Sequence, residues 1–322
     1  MSEKPLVLII SPASAKANNG NWQTASRWAG FLKADYRVQI LTEWSGESKA
    51  DLMIALHARR SAPSIHAWRR HHAHAPLVVV LTGTDLYRDI RHDEAARRSL
   101  QLADRLVVLQ QAGLEELREA DLPPTRIIYQ SAPAPAPLAK AEPAPFTTIM
   151  IGHLRPEKSP DTYMQAARLL QAPLPRMLHV GAALDPALGA QAEQTAAACP
   201  HYQWLGNLPH EQTLKRLAQS DLMVISSVME GGANVIIEAV VAGVPVLASD
   251  IPGNRGMLGD DYAGLFPVGD AAALAQAIAR AGSDAGFLGT LRRQCQARAP
   301  LFAPAREQDA VRALVRELMD NG

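Results

Sequence analysis

The chain has 322 residues, enough for about two domains, and its 32 Lys and Arg balance 32 Asp and Glu to a formal net charge of zero. No Lys/Arg-dense block interrupts that balance, which speaks against a nucleic-acid partner, and 48% hydrophobic residues supply the material for packed cores. Two cysteines, Cys199 and Cys295, exclude a disulfide framework and a four-thiolate zinc site. Apolar runs such as Leu6–Ile10 and Leu77–Leu81 are too short to span a membrane, and the first leads into a polar loop rather than a signal-peptide cleavage site. The expectation is a cytoplasmic enzyme.

In chain order, apolar β-branched runs predict strands over 6–10, 37–41, 52–56, 77–81, 106–109 and 126–129. Helical patterns fall between them over 22–33, 64–70, 94–102 and 113–120. Continuous apolar strands alternating with helices imply a parallel sheet covered on both faces. Residues 131–145, SAPAPAPLAKAEPAP, break the alternation: prolines at 133, 135, 137, 143 and 145 favour a semi-rigid extended linker. The pattern then restarts, with strands predicted over 147–151, 176–180, 202–205, 222–225, 244–248 and 264–268. Its helices are predicted over 161–170, 187–198, 211–218, 234–242, 271–281, 287–297 and 304–319.

This arrangement predicts an α/β protein of two doubly wound parallel-sheet domains, at 1–135 and 146–303, facing a central cleft. Ligands in such sheets bind beyond the C-terminal ends of the strands. The His-rich run 66–74, HAWRRHHAH, mixes with arginines and precedes a proline, so it reads as a solvated helix end rather than a metal site.

The most informative stretch is 226–242, SSVMEGGANVIIEAVVA, which follows a strand. Glu230 lies in the loop, Gly231 and Gly232 open a turn, and a helix starts near Asn234, with Glu238 on it eight residues after Glu230. Glycines let backbone N–H groups approach an anion, and the helix start adds the positive end of its dipole. A carboxylate beside such a loop suits sugar or ribose hydroxyls. A second loop, 151–160, IGHLRPEKSP, sets Arg155 and Lys158 at the end of the first strand of the second domain, where two cations can neutralise a leaving diphosphate. Taken singly, each of these features is more often a solvated surface group.

Gly152, Leu154, Lys158, the Glu230–Glu238 pair with seven residues between, and EAVVAGVPVLASDIPG over 238–253 resemble glycosyltransferase family 4, of the GT-B fold. By that resemblance Lys158 contacts the donor diphosphate and Glu230 holds the donor sugar hydroxyls. Gly231, Gly232, Ala233 and Asn234 line the sugar and diphosphate, and Glu238 holds the ribose. The family's arginine after the first glycine is His153 here, with Arg155 the candidate to replace it. The resemblance also implies that the helix over 304–322 returns to the N-terminal domain, and that this domain selects the acceptor. No Asp-x-Asp motif occurs, which fits neutralisation of the diphosphate by cations and helix dipoles without a metal, and no cofactor is expected.

Three N-terminal loops follow predicted strands. The first, over 11–24, offers Lys16, Asn21 and Thr24; the second carries His57, Arg59, Arg60 and Ser61; the third carries Thr84 and Asp85. Paired arginines with a histidine and a hydroxyl suit a compact anion such as phosphate, although Arg59 and Arg60 pairing with carboxylates such as Asp85 is the plainer reading. His57 and Asp85 are candidates to orient the acceptor. Together, LHARRSAPSI, VVLTGTDLYRD, SLQLADRLVVLQ and IMIGHLRPEKSPD resemble the selenosugar synthases of the selenoneine pathway, a short branch of the family. That resemblance implies a UDP-sugar donor, UDP-N-acetylglucosamine or UDP-glucose, with selenophosphate as acceptor. An ordinary family 4 enzyme acting on an alcohol, sugar or lipid, and a non-catalytic nucleotide-sugar-binding protein, are the alternatives. No amphipathic basic helix suggests a membrane partner.

Overall fold

The computed structural model describes residues 3–14, 20–46, 49–118, 121–135 and 145–320. The chain divides into two compact units, residues 1–131 with 303–322, and residues 132–302.

In the first unit the chain forms β1 (Leu6–Ile10), α1 (Gly20–Leu32), β2 (Arg37–Leu41), β3 (Leu52–Leu56), α2 (Ala62–His71) and β4 (Leu77–Leu81). A π-helical turn, Asp85–Asp89, leads into α3 (Ile90–His92), α4 (Glu94–Leu102), β5 (Arg105–Val108), a 3₁₀ helix (Gln111–Leu117) and β6 (Thr125–Ile127). The six strands are parallel in the order β2-β1-β3-β4-β5-β6. Both faces are packed, which is why the strands read as unbroken apolar runs. Val7 and Ile9 point into one buried cluster with Trp28 and Leu32, whereas Leu8 and Ile10 point into the other with Trp68 and Leu86.

The second unit forms β7 (Thr147–Ile151), a 3₁₀ turn (Pro156–Lys158), α5 (Pro160–Leu169), β8 (Arg176–Val180), α6 (Pro186–Ala198), β9 (Tyr202–Trp204) and α7 (His210–Ala218). It continues through β10 (Leu222–Ile225), α8 (Asn234–Val241), β11 (Val246–Ser249), α9 (Pro252–Leu258), β12 (Leu265–Phe266), α10 (Ala271–Ser283) and α11 (Ala285–Arg298). Its parallel sheet runs β12-β11-β10-β7-β8-β9, so the winding reverses between β7 and β10.

The last helix, α12 (Pro304–Asp320), belongs to the first unit. Val311, Leu314, Val315 and Leu318, spaced as one helical stripe, are buried in the cluster with Ala25 and Trp28 of α1. One turn before that stripe sits Glu307, only 1% exposed. It accepts from Arg27 Nε at 2.7 Å, Trp28 Nε1 at 2.7 Å, and the Ser131 backbone N–H at 2.8 Å and hydroxyl at 2.5 Å. A buried carboxylate is tolerated when its oxygens are fully engaged in this way. Ser131 is the last residue before the second unit, so Glu307 ties the chain's exit from the first unit beside its re-entry.

Three expectations need correction. Residues 111–117 form a 3₁₀ helix instead of an α-helix over 113–120, and residues 119–120 lie outside the described residues. Asn21 and Thr24 lie inside α1, which starts at Gly20, and not in a loop. No helix is predicted over 252–258, yet α9 forms there; Pro252 occupies its first turn, where the missing N–H costs nothing. Of the linker prolines, 137 and 143 lie outside the described residues.

Candidate active site

In a doubly wound sheet the crevice for ligands opens where the winding reverses, beyond the C-terminal ends of the strands. In the second unit that point lies between β7 and β10, and the loops following these two strands carry Arg155 and Lys158 on one side and Glu230–Asn234 on the other. The loops are stitched together by hydrogen bonds to main-chain carbonyls. The Ser226 hydroxyl donates to Ser159 O at 2.8 Å, and the Val228 N–H donates to Glu157 O at 3.0 Å. Ser159 adopts a left-handed conformation, φ +43°, at the junction of the 3₁₀ turn with α5, placing Lys158 over the β10 loop.

Lys158 Nζ donates to Glu230 Oε1 at 2.5 Å, and the Ser227 hydroxyl donates to the same oxygen at 2.6 Å. Glu230 Oε2 has no protein partner among the described residues. The carboxylate is therefore held from one side and presents its other oxygen. Further support comes from behind. The Ser249 hydroxyl donates to Ser227 O at 2.5 Å, and the buried Asn254 amide donates to Ser249 O at 2.9 Å. Gly253, in the first turn of α9, lies so close that a Cβ there would stand 2.0 Å from Glu230 O.

Gly231 and Gly232 form a bend without using left-handed φ, so their contribution is the missing side chain. Asn234 opens α8, whose N-terminus has no side-chain cap. Uncapped N–H groups and the helix dipole favour an anion at that point. His153 Nδ1 accepts the Ala182 N–H at 3.1 Å, tying the β7 loop to the β8 loop. Burial, reinforced by Arg155 and Lys158, lowers its pKa, so His153 is neutral at pH 7. Arg155 is exposed, and its guanidinium has no hydrogen-bond or ion-pair partner among the described residues. Gly152 lies beside the Lys158 side-chain stem, and Gly181 of the next loop approaches Gly152 O closely enough to exclude a Cβ. Glu238, on α8, is 3.7 Å from His210 Nε2 and lines a cavity of about 60 Å³ with Pro133, Pro135 and Leu214.

The first unit's candidates fall into three groups. Lys16 lies outside the described residues. Thr24, Ser61 and Asp85 are structural. The Thr24 hydroxyl donates to Gly20 O at 2.8 Å and accepts from Gln130, and the Ser61 hydroxyl is buried on Leu56 O at 2.6 Å. Asp85, fully buried, accepts the N–H groups of Ala58 at 2.9 Å, Thr82 at 2.9 Å and Gly83 at 2.8 Å. Such a carboxylate clamps the β3 and β4 strand ends, which corrects its expected part in orienting an acceptor. His57, Arg59, Arg60 and Thr84 are brought together. His57 sits at φ +73°, strained for a non-glycine residue, and its Nδ1 accepts the Arg60 N–H at 3.3 Å. The ring proton therefore rests on Nε2, which donates to Thr84 Oγ1 at 3.0 Å. Burial lowers the His57 pKa against the opposing pull of Asp85. Arg59 does pair with a nearby carboxylate, as the plainer reading expected, but the partner is Asp89, and no side-chain partner of Arg60 occurs among the described residues.

Sequence reasoning missed Ser227, Ser249, Asn254, Arg88 and Asp89. In the second unit only Ser227, a hydroxyl three residues before Glu230 in one loop, left a local signal, and Ser249 and Asn254 reach that loop through the fold; Arg88 and Asp89 lie in the first unit, beside Arg59. The His-rich run ends α2, with the His72 ring packed at a tilt 4.5 Å from the Trp68 ring, and no group of three or more His, Cys, Asp or Glu among the described residues is placed to hold a metal ion.

Residues 138–301, just over half of the chain, match the family model described as glycosyl transferases group 1. The chain belongs to that family. This group 1 glycosyltransferase is 37% identical over 75 residues to a Bacillus subtilis (strain 168) protein named for teichuronic acid biosynthesis, the glycosyltransferase TuaC. The match spans 23% of the chain and 19% of that relative. Among solved structures, the sucrose-phosphate synthase of Thermosynechococcus elongatus superposes with a TM-score of 0.81 at 19% identity, covering 99% of this chain and 100% of that one. HepE of Anabaena, solved in complex with UDP, gives 0.75 at 18% identity, covering 98% and 100%. At these identities the likeness concerns the fold, which is GT-B: two Rossmann-like units, each built on a six-stranded parallel sheet. No helix among the described residues is long and apolar enough to cross a membrane.

Proposed function

We propose that this glycosyltransferase takes its sugar from UDP-N-acetylglucosamine or UDP-glucose and transfers it, without a metal, to the selenium of selenophosphate. The observation that carries the donor half is the Glu230 carboxylate, fixed through Oε1 by Lys158 and Ser227 with Oε2 uncommitted. That free oxygen accepts the donor sugar's hydroxyls. Lys158, Arg155 and the uncapped start of α8 meet the charge that builds on the departing UDP, and Glu238 takes the ribose hydroxyls. Losing one such preorganised donor costs about 100- to 1000-fold in rate. Structures of HepE solved with UDP and with UDP-glucose support this choice of nucleotide.

On the acceptor side, selenium attacks the anomeric carbon as the bond to UDP breaks, and water then cleaves the Se–P bond, leaving a 1-selenosugar, UDP and phosphate. The sequence resemblance names this acceptor, and the first unit's chemistry agrees with it. Asp85 is consumed by three backbone N–H groups, and the His57 Nε2 proton is given to Thr84. Neither group is set to deprotonate an alcohol, whereas an anionic acceptor needs no base. Arg59 and Arg60 supply the counter-charge.

Purified protein is incubated with each UDP-sugar and selenophosphate generated in situ, and products are read by mass spectrometry. A selenium-bearing sugar is expected. UDP release onto alcohols without such a product sinks the acceptor assignment and returns the chain to ordinary glycosyl transfer. No turnover with any acceptor, despite tight UDP-sugar binding, points to a non-catalytic binder. Glu230→Ala is expected to abolish turnover with the fold intact.

A further inference from the structure

Asp89 closes the π-helical turn after β4, is 5% exposed, and engages one guanidinium on each carboxylate oxygen. Arg59 Nε donates to Oδ2 at 2.8 Å, and Arg88 Nε donates to Oδ1 at 3.1 Å. Arg59 comes from the loop after β3, a direct neighbour of β4, so one carboxylate joins the ends of two adjacent strands. The arginines remain 40% and 46% exposed, and their Nη groups have no partner among the described residues. Each guanidinium is thus fixed by its Nε, with its Nη pair uncommitted. A single arginine would suffice to neutralise Asp89. Placing two side by side sets like charges together, and the unpartnered Arg60 adds a third. Against these three cations stand Asp89 and Asp85, and the Asp85 oxygens are already engaged by three backbone N–H groups.

We propose that Arg59 and Arg88, held in register by Asp89, form a paired-guanidinium clamp for a small tetrahedral dianion of the phosphate class. The proposal deepens the acceptor reading above and rests on it; it adds Arg88 as a binding residue and Asp89 as a positioning residue. Two planar forks offer four Nη groups. A carboxylate, with two oxygens, fills one fork, whereas a phosphoryl group has enough oxygens to fill both. The π turn makes the arrangement possible. Its wider winding keeps Asp85 directed at the strand ends while Asp89, also buried, receives Arg59 and Arg88.

The test titrates the full-length protein with inorganic phosphate by calorimetry, at an ionic strength held constant with chloride. Arg88→Ala and Arg59→Ala are each expected to weaken phosphate binding about tenfold, the effect of removing one charge-assisted contact. Arg91→Ala, which removes a neighbouring arginine paired with Glu116, is expected to change nothing. Asp89→Asn is expected to raise the acceptor KM while UDP affinity and melting temperature stay near wild type, with partial rescue by Asp89→Glu. Phosphate binding in Arg88→Ala equal to wild type, or none in the wild type, overturns the clamp. If phosphate binds through Arg88 but no selenosugar forms, the acceptor identity fails and the site stands. If selenosugar forms with an unchanged acceptor KM in Arg88→Ala, the clamp fails and the function stands.

Discussion

Lys158 and Glu230, 72 residues apart in the chain, meet at 2.5 Å across the two loops that flank the winding reversal of the second sheet. The Lys158 side chain is 18% exposed and that of Glu230 10%, so water screens the pair far less than a surface ion pair. Removing one partner leaves the other partly buried and uncompensated. A double-mutant cycle with Lys158→Ala and Glu230→Gln is expected to show a coupling energy of about 1–3 kcal/mol in UDP-sugar affinity. Additive effects would show that the two residues bind the donor independently. Ser227→Ala is expected to lower kcat more than it raises the donor KM, because it loosens the carboxylate without removing it.

Gly253 makes a second, purely steric demand on Glu230. A methyl group at this position would stand 2.0 Å from Glu230 O, a backbone atom with no side-chain freedom to yield. Gly253→Ala is therefore expected to push α9 and the β10 loop apart, lowering both the melting temperature and UDP-sugar affinity. Gly30, in α1, meets nothing within 4 Å, so Gly30→Ala is expected to stabilise by about 0.5–1 kcal/mol through helix propensity alone. Thermal melts of the two variants moving in opposite directions would confirm the argument. If both move together, the clash at Gly253 is being relieved.

These contacts show what sequence can and cannot carry. The strands at Leu6–Ile10, Leu52–Leu56, Leu77–Leu81 and Thr147–Ile151 were legible because burial on both faces writes an unbroken apolar run. Lys158 and Glu230, which the fold brings together, stood out as candidates because a glycine-rich loop between strand and helix is a local signature. Asn254 and Ser249 were not, because their service to Glu230 depends on α9 folding back on the β10 loop. Arg88 and Asp89 stayed hidden for a related reason. A π turn carries no pattern of its own, and Arg59 reaches Asp89 beside Arg88 only once β3 and β4 are adjacent. Asp85 was legible as a polar residue at a strand end but was given the wrong task. Its three N–H partners come from two separate segments.

Glu307 bears on how the first unit keeps its last helix. Its carboxylate binds Arg27, Trp28 and Ser131, and its side chain is shielded completely from solvent. Glu307→Ala would strand the Trp28 indole N–H and the Ser131 N–H without acceptors and leave Arg27 partly buried without its partner. The expected loss is about 3–5 kcal/mol of unfolding free energy, read from urea midpoints, whereas Glu211→Ala, at an exposed position on α7, is expected to leave the midpoint near that of the wild type. A loss at Glu307 no larger than that at Glu211 would show that the buried carboxylate contributes nothing net.

His179 gives the second unit a pH dependence whose sign follows from its surroundings. It lies on β8, fully buried, with Nδ1 at 2.8 Å from the Tyr202 hydroxyl. Burial drives its pKa down to about 4, the Gly152 backbone pulling weakly the other way. The unfolded chain takes up this proton near pH 6.5, before the folded one does. Stability from this group is therefore complete above about pH 6.5 and is lost as the pH falls toward 4, for a total of roughly 3 kcal/mol. His57, His66 and His153, also lowered by burial, act in the same direction. Urea unfolding across that pH range is expected to show the loss in the wild type. His179→Gln keeps a partner for Tyr202 and cannot titrate, so it is expected to flatten the curve while leaving the smaller share of the other histidines. An unchanged slope would mean that His179 is protonated in the folded state and that its pocket admits water.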